Sequence, residues 1–119
     1  CVTYAKEREQ FGRPIGDYQA VSHRIANMRL RQETSRLLLH KVAAMKDREL
    51  PAEMECAMAK LHIAEALLDS ATDALRIHGA KGYLAEFEVE RELRDSVGGV
   101  IYAGTSDIQR NLIASMLGL

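Results

Sequence analysis

A short turn near the end of the chain carries the residues best suited to contacting a ligand. The segment Ile101–Arg110 reads IYAGTSDIQR, in which Thr105 or Ser106 is a natural helix N-cap and Asp107 suits the positive end of the following helix. A helix start preceded by a glycine presents free N–H groups to an anionic or carbonyl oxygen. The turn therefore predicts a ligand-binding helix N-terminus, although a capped helix start without a ligand fits the same residues.

A second candidate site lies near the start of the chain, where Arg8 precedes Phe11, a glycine turn and then Gln19. A forked guanidinium at a helix C-terminus, next to an aromatic residue, is suited to binding a diphosphate through two hydrogen bonds. The alternative is a surface Arg8 that offsets the helix dipole, with Phe11 filling the core. Taken alone, these residues favour the alternative.

A third loop, Arg76–Tyr83, contains Gly79 and Gly82, which are free to take positive φ and let the backbone approach a ligand closely. A plain helix C-cap is the alternative, since glycine is common after a helix. His78 falls on an apolar stripe, so we interpret it as a packed histidine rather than a catalytic base. No role is assigned to the three other histidines, His23, His40 and His62.

Two long helices must position these loops. Residues recur at alternating steps of three and four from Gln19 to about Arg48 and from Pro51 to about His78, which predicts a helical hairpin with a turn near residues 48–51. Large residues alternate with alanine in the second helix, and this lets a neighbouring helix approach closely. The first stripe comprises Val21, Ile25, Met28, Gln32, Ser35, Leu39 and Val42, and the second comprises Met54, Ala57, Leu61, Ala64, Leu68, Ala71, Leu75 and His78.

Shorter elements surround this hairpin. Residues 1–10 resemble the end of another helix, and two glycines and a proline make residues 11–17 a loop. A charged helix is expected from about residue 86 to residue 97, with Glu90 and Arg94 spaced for an ion pair and Gly98-Gly99 ending it. The last helix covers about residues 106–117. With no strand-like alternation, the prediction is an all-α, up-and-down bundle of about four helices plus a short N-terminal helix remnant.

Composition bounds the class of protein. The 119 residues are enough for one domain, 47% of them are hydrophobic, and the net charge is −1 without runs of one sign. We therefore expect neither a nucleic-acid partner nor a membrane span. Cys1 and Cys56 fit no metal or redox spacing and are expected to be reduced thiols of a cytosolic protein. Because the chain starts without Met, inside a helical pattern, we expect it to be a fragment.

Together, the three loops are similar to the C-terminal helical domain of FAD-dependent acyl-CoA dehydrogenases. The resemblance covers nearly the whole chain and rests on four motifs in the same order. These are R-x-x-F-G-x-P-I from Arg8 with Gln19 beyond it, I-H-G-x-x-G-Y from Ile77, E-R-x-x-R-D from Glu90, and G-T-S-x-I-Q-R from Gly104. Residues 1–119 would be this domain, without the N-terminal helical and middle β domains of the family.

The resemblance implies roles for all three loops in binding FAD. Arg8 would hold the diphosphate of a neighbouring subunit's FAD, with Gln10, Phe11 and Gln19 around it. The adenosine side of that FAD would lie against Arg76, Ile77, His78, Gly79 and Ala80. The family usually has Gln and Gly at the positions of Arg76 and Ala80, so the exact contacts there stay open. The FAD of the same subunit would contact Thr105, Ser106 and Asp107.

The resemblance also implies α,β-dehydrogenation of an acyl-CoA, with hydride transfer to the flavin. Tyr102, Ala103 and Gly104 would contact this substrate, and the Ala103 N–H would bind the thioester oxygen. Most members carry the catalytic Glu at the position of Ala103, whereas some have a small residue there and a Glu on the preceding helix. Asp107 is a poor substitute, so we expect the base upstream of this chain and no catalytic side chain within it.

Further expectations follow from the family. They are an electron-transfer flavoprotein or similar acceptor, a homo- or hetero-oligomer that is a dimer or tetramer, and a cytoplasmic or mitochondrial-matrix location. Two alternatives remain: a non-catalytic supporting subunit of a hetero-oligomeric dehydrogenase, and a helical scaffold that binds no ligand.

Overall fold

The computed structural model describes all 119 residues as a helical bundle. The all-α prediction is confirmed, with one exception: a hairpin of two very short strands near the N-terminus. The main elements are α1 (Val2–Glu7), β1 (Glu9–Gln10), β2 (Arg13–Pro14), α2 (Gln19–Asp47), α3 (Glu53–His78), α4 (Ala80–Tyr83), α5 (Val89–Gly99) and α6 (Ser106–Met116), with 3-10 turns at Ile15–Asp17 and Ala85–Phe87.

Helix α3 is the centre of the bundle, because α2, α4, α5 and α6 all pack against it. The predicted stripe faces α5, where a Cβ on Gly99 would lie 3.8 Å from the Ala64 Cβ. Helix α2 packs on a different face of α3, since Ile63, Ala66 and Ser70 line a cleft together with Ile25 and Met28 of α2. Two faces of α3 are therefore buried, and its small side chains serve both of them: Ala57, Ala59, Ala64, Ala66 and Ala71.

Helix α2 has no fully buried residue. Leu39, which the sequence places on the buried stripe, is 56% exposed, so this part of the prediction is wrong. The reason is that α2 packs mainly against α3 and the neighbouring 3-10 turn, so that much of its circumference faces outward.

A buried carboxylate joins α2 to α3. Asp73 is 7% exposed, and its oxygens accept hydrogen bonds from Arg24 at 3.0 Å and from Arg31 at 2.8 Å. Burial by itself raises the pKa of such a carboxyl, but the hydrogen bonds from Arg31 and Arg24 outweigh it and hold the pKa of Asp73 below its ordinary value. The two arginines thus keep Asp73 charged inside the helix pair.

The N-terminal segment folds onto the end of α3. Ala5, Ile15 and Ile77 form a small core, and the strands pair antiparallel with Glu9 opposite Pro14 and Gln10 opposite Arg13. Phe11 and Gly12 form the tip, with φ of +53° and +81°, the left-handed pair that a two-residue hairpin turn requires. Strands of two residues are too short to show an alternating pattern. The expectation of a helix through residue 10 is therefore wrong, since α1 ends at Glu7 and Glu9–Gln10 forms a strand, and β2 lies in the segment expected to be a loop.

Three further helix boundaries differ from expectation. Helix α3 begins at Glu53 rather than at Pro51, and α5 begins at Val89 rather than near residue 86. Helix α5 also continues through Gly98, which the sequence placed at its end. A Cβ there would lie 2.6 Å from Cε1 of Tyr102, so Gly98 is required for the close approach of that ring. Glu90 and Arg94 form no ion pair, and the closest partner of Arg94 is Asp95, at 3.9 Å.

Candidate functional site

The turn between α5 and α6 has an unusual backbone. Ala103 and Gly104 are both left-handed, with φ of +54° and +85°, and left-handed backbone strains any residue other than glycine. Thr105 follows as the N-cap of α6, and its side chain accepts a hydrogen bond from the Ile108 N–H at 3.2 Å. The N-cap prediction is therefore confirmed at Thr105.

Three consecutive amides in this turn are unpaired. The N–H groups of Ala103, Gly104 and Thr105 donate to no group of the chain, whereas the Ser106 N–H just beyond them donates to the Val100 carbonyl at 3.0 Å. Unpaired N–H groups next to a helix N-terminus are available to donate hydrogen bonds to an anionic or strongly polarised oxygen.

The carbonyls of the turn are held toward the bundle by two side chains. Lys60 Nζ of α3 donates to the carbonyls of Gly99, at 3.0 Å, and of Gly104, at 2.5 Å. Gln109 Nε2 of α6 donates to the carbonyls of Ala103, at 3.3 Å, and of Gly104, at 3.4 Å. The sequence indicates no role for either side chain, since a lysine inside a helix about 40 positions away carries no local signal.

Ser106 and Asp107 differ in how they are placed. The Ser106 hydroxyl oxygen is buried and has no hydrogen-bond partner within the chain. Asp107 is mostly exposed and forms an ion pair with Arg110 at 3.2 Å. Arg110 also binds Glu65 of α3, and this hydrogen bond raises the pKa of Arg110. Asp107 is thus an exposed side chain that pairs with Arg110 one helical turn further on.

Tyr102 lies at the edge of the same turn. Its ring packs over Gly98 and is 63% exposed, next to Ile101, which is 60% exposed. These apolar groups border the unpaired amides, so a ligand with both a polar oxygen and an apolar chain fits this surface.

The first and second loops share a cleft of about 590 Å³ at the other end of α3, which contains Arg8 and His78. The His78 ring stacks on Tyr4 with centroids 4.3 Å apart, and Nδ1 lies 2.8 Å from the Ala74 carbonyl. His78 thus has the surroundings of a packed histidine. The cleft is also lined by Lys81, which the sequence did not single out, and by the carboxylates of Glu7 and Glu9.

The hairpin projects its tip away from the protein. Phe11 is 92% exposed, so the interpretation of Phe11 as a core residue is wrong. Tyr18 braces the tip by donating from its hydroxyl to the Gln10 carbonyl at 3.0 Å, and Arg13 lies 4.1 Å above the Tyr18 ring. Gln10 and Gln19 are exposed beside it. A large aromatic side chain held out in this way is suited to contact another molecule.

The second loop is built by its two glycines in different ways. Gly79 has φ of +60° and ends α3, with Arg76 and Ala80 exposed on either side. Gly82 is helical, and a Cβ there would lie 2.9 Å from the His78 Cβ, so it serves close packing rather than a positive φ. Ile77 is 5% exposed and packs in the core, which leaves only its backbone for a ligand.

The three loops form two separate clusters. Lys60 supports the turn near residue 103, whereas His78 lies in the cleft of the other two loops, and about 27 Å of α3 separates the two positions at ~1.5 Å per residue. The single chain therefore presents two separate candidate ligand surfaces rather than one.

Comparison with known proteins adds to this geometry. A family model described as "Acyl-CoA dehydrogenase, C-terminal domain" matches residues 1–118. The chain is 49% identical to an L-prolyl-[peptidyl-carrier protein] dehydrogenase of Pseudomonas fluorescens, over 99% of this chain and 31% of that protein. It is 40% identical to the caffeyl-CoA reductase-Etf complex subunit CarC of Acetobacterium woodii, over 98% of this chain and 31% of that protein.

Solved structures of other proteins contain the same helical fold. The prolyl acyl carrier protein oxidase AnaB has a TM-score of 0.97 at 47% identity, and PigA in its FAD complex has a TM-score of 0.96 at 41% identity. Each match covers 99% of this chain and 31% of the solved chain. The chain thus spans about a third of the length of the relatives it matches, and structurally similar proteins bind FAD. No helix here has the length and apolar character that crossing a membrane requires.

Proposed function

Because this chain belongs to the acyl-CoA dehydrogenase family, we propose that it is the C-terminal helical domain of a longer FAD-dependent enzyme that dehydrogenates an acyl-CoA thioester between its α and β carbons. The observation that carries this proposal is the row of unpaired amides at Ala103, Gly104 and Thr105. Within the full-length protein the domain binds FAD and substrate and contributes to oligomerisation.

The turn supplies the hydrogen bonds that the reaction needs. Removal of an α-proton places negative charge on the thioester oxygen, and a fixed N–H stabilises that charge. Ala103 provides this N–H from its backbone, so the role does not depend on the side chain. Tyr102 and Gly104 border the acyl group. When bound, FAD would supply the hydride acceptor for the β carbon.

The two clusters divide the cofactor contacts between subunits. Thr105, Ser106 and Asp107 contact the FAD of the same subunit, and the unpartnered Ser106 hydroxyl supports this assignment. The projecting tip and the cleft of loops one and two contact the FAD of a neighbouring subunit. Support comes from the exposure of Phe11 and from the distance between the clusters. The residues assigned to this second FAD are Arg8, Gln10, Phe11, Gln19, Arg76, Ile77, His78, Gly79 and Ala80.

The catalytic base lies outside these residues. Ala103 has no proton acceptor, and Asp107 is paired with Arg110 on the helix start. We assign the base to a carboxylate on a helix upstream of this chain. If the full-length protein has no such carboxylate, the alternative is a non-catalytic subunit that binds FAD and supports an active partner.

Two substrate classes compete for this site. The relatives with 49% and 47% identity are named for prolyl groups on carrier proteins, while the bovine mitochondrial short-chain acyl-CoA dehydrogenase is 42% identical over 98% of this chain. A prolyl thioester on a carrier protein is therefore the second candidate substrate. An electron-transfer flavoprotein or similar acceptor would take up the electrons, which the relation to the CarC subunit supports. The location is cytoplasmic, or the mitochondrial matrix in a eukaryote.

The test uses the full-length flavoprotein under anaerobic conditions. We expect the flavin absorbance to bleach on addition of an acyl-CoA or of a carrier-bound prolyl thioester, and the faster of the two identifies the substrate class. An acyl thioester without a β C–H is the control and leaves the spectrum unbleached. Bound flavin that neither substrate bleaches favours the supporting subunit. Purified protein that takes up no FAD overturns the proposal and leaves the helical scaffold.

A further inference from the structure

Lys60 joins two parts of the turn that are separate in sequence. Its Nζ lies 3.0 Å from the Gly99 carbonyl and 2.5 Å from the Gly104 carbonyl. Gly99 ends α5, where unpaired carbonyls carry partial negative charge. One ammonium group therefore neutralises the end of α5 and anchors the second left-handed residue of the turn.

The direction of these carbonyls fixes the direction of the amides. In a trans peptide the C=O and the next N–H point in opposite directions, and the chain has no cis peptide. Lys60 draws the Gly104 carbonyl toward α3, which turns the Thr105 N–H outward. Gln109, which is 7% exposed, acts in the same way on the Ala103 carbonyl and so on the Gly104 N–H.

The charge of Lys60 also strengthens the amide it orients. A hydrogen bond from a cation to a carbonyl polarises the whole peptide unit, so the N–H at its other end becomes a better donor. Lys60 is half-buried, and the effect is larger there than in water. Gln109 lacks this charge and contributes orientation alone.

We propose that Lys60 is a positioning residue that orients and polarises the Thr105 amide for the ligand of this turn. The inference rests on the proposed function, in which that ligand is the FAD of the same subunit. Lys60 makes no contact with FAD in this scheme and acts through the Gly104–Thr105 peptide. No local pattern indicates this role, since Lys60 lies in the middle of a helix whose neighbours are mostly apolar.

The experiment compares variants of the full-length protein. Lys60→Met keeps the aliphatic stem and removes the donor, Lys60→Arg keeps the charge, and Lys41→Met removes one positive charge from α2, where Lys41 pairs with Glu55 at 3.3 Å. Two quantities are measured: the FAD dissociation constant by titration of apo-protein, and hydrogen exchange of the segment 100–106 in apo-protein. Lys60→Gln, whose neutral amide suits a half-buried position, replaces Lys60→Met if the latter does not fold.

We expect Lys60→Met to weaken FAD binding at least tenfold and to speed hydrogen exchange in segment 100–106. Lys60→Arg should restore most of the FAD affinity and most of the protection from exchange. Lys41→Met should resemble wild type in both measurements. Unchanged FAD affinity in Lys60→Met, with tight binding by wild type, overturns the inference and leaves the proposed function intact. Faster exchange without loss of affinity overturns it too, because Lys60 is then merely structural. Wild-type protein that binds no FAD overturns both the inference and the proposed function.

Discussion

Gly104→Ala is the substitution that tests the turn most directly. Gly104 has φ of +85°, and a Cβ there would lie 2.6 Å from Nε2 of Gln109 and 3.7 Å from Cγ2 of Ile108. The left-handed backbone alone costs an L-residue about 1–2 kcal/mol. Gln109 must also move, and a buried amide that loses its acceptors costs about 1–3 kcal/mol. We therefore expect Gly104→Ala to destabilise the folded turn by about 2–5 kcal/mol.

Gly118→Ala is the matched control. Gly118 has φ of +82°, and a Cβ at this position would meet nothing within 4 Å. The Gly118→Ala variant has the same unfavourable backbone conformation but no steric clash. The difference in stability between the two variants therefore isolates the packing of Gln109 under the turn. Thermal unfolding of the full-length apo-protein, followed by circular dichroism, should show the larger fall in melting temperature for Gly104→Ala.

The functional consequence is separable from stability. Displacement of one fixed donor in an oxyanion-binding site typically lowers kcat by about 100- to 1,000-fold. We expect Gly104→Ala to lower kcat/KM by about 100-fold at a temperature where both variants are folded, with Gly118→Ala close to wild type. Equal melting temperatures in the two variants would contradict the packing described for Gln109. A Gly104→Ala enzyme of normal kcat/KM would remove the amides from the reaction.

The remaining predictions concern the charged residues Arg8 and Asp73 and the activity of residues 1–119 on their own. In the full-length protein, Arg8→Ala should raise the FAD dissociation constant about 10- to 150-fold, since a charge-assisted contact contributes about 1.5–3 kcal/mol. The control is Arg48→Ala, which removes an exposed arginine that forms no ion pair. If Arg8→Ala leaves the FAD affinity unchanged, Arg8 does not belong to the site. Asp73→Asn should lower stability at neutral pH by about 2–3 kcal/mol, less than the loss of a fully buried pair. Because the folded-state pKa of Asp73 is depressed, its contribution is fully present above the unfolded-state pKa and is lost as pH falls through the folded-state value; urea titrations across acidic pH should show this difference shrinking, and Asp95→Asn should show none of it. Residues 1–119 alone should have no dehydrogenase activity, and measurable turnover of any acyl thioester by them would refute the division of the site between domains.

The long helices and the cap of α6 are accessible from the sequence because their signals are local. Repeats of three and four residues predict α2 and α3, and a glycine followed by Thr105 predicts the N-cap that the structure contains. The resemblance to a family comes from the order of the loop motifs. Each of these signals depends only on residues close together in the sequence, so it can be recognised without knowledge of the fold.

Features that the sequence does not reveal depend on contacts between distant residues or on the backbone of a tight turn. Gly98 is expected to end a helix, but it lies inside α5 because the Tyr102 ring packs on it. Phe11 is favoured as a core residue by its type, whereas two left-handed residues turn it outward at the hairpin tip. The two carbonyls bound by Lys60 lie about 40 residues away, beyond any periodic pattern.

Helix α3 also constrains how this protein can change in length. It spans 26 residues, about 39 Å at ~1.5 Å per residue, and it supports one candidate ligand cluster at Lys60 and the other at His78. One residue inserted between positions 60 and 78 would advance His78 by ~1.5 Å along the helix axis and rotate it by about 100°. The cluster at His78 would then face a different direction relative to the cluster at Lys60. The turn at residues 48–52, which supports neither cluster, can absorb insertions that α3 cannot. Helix α3 can therefore accept substitutions between these two positions but not insertions or deletions.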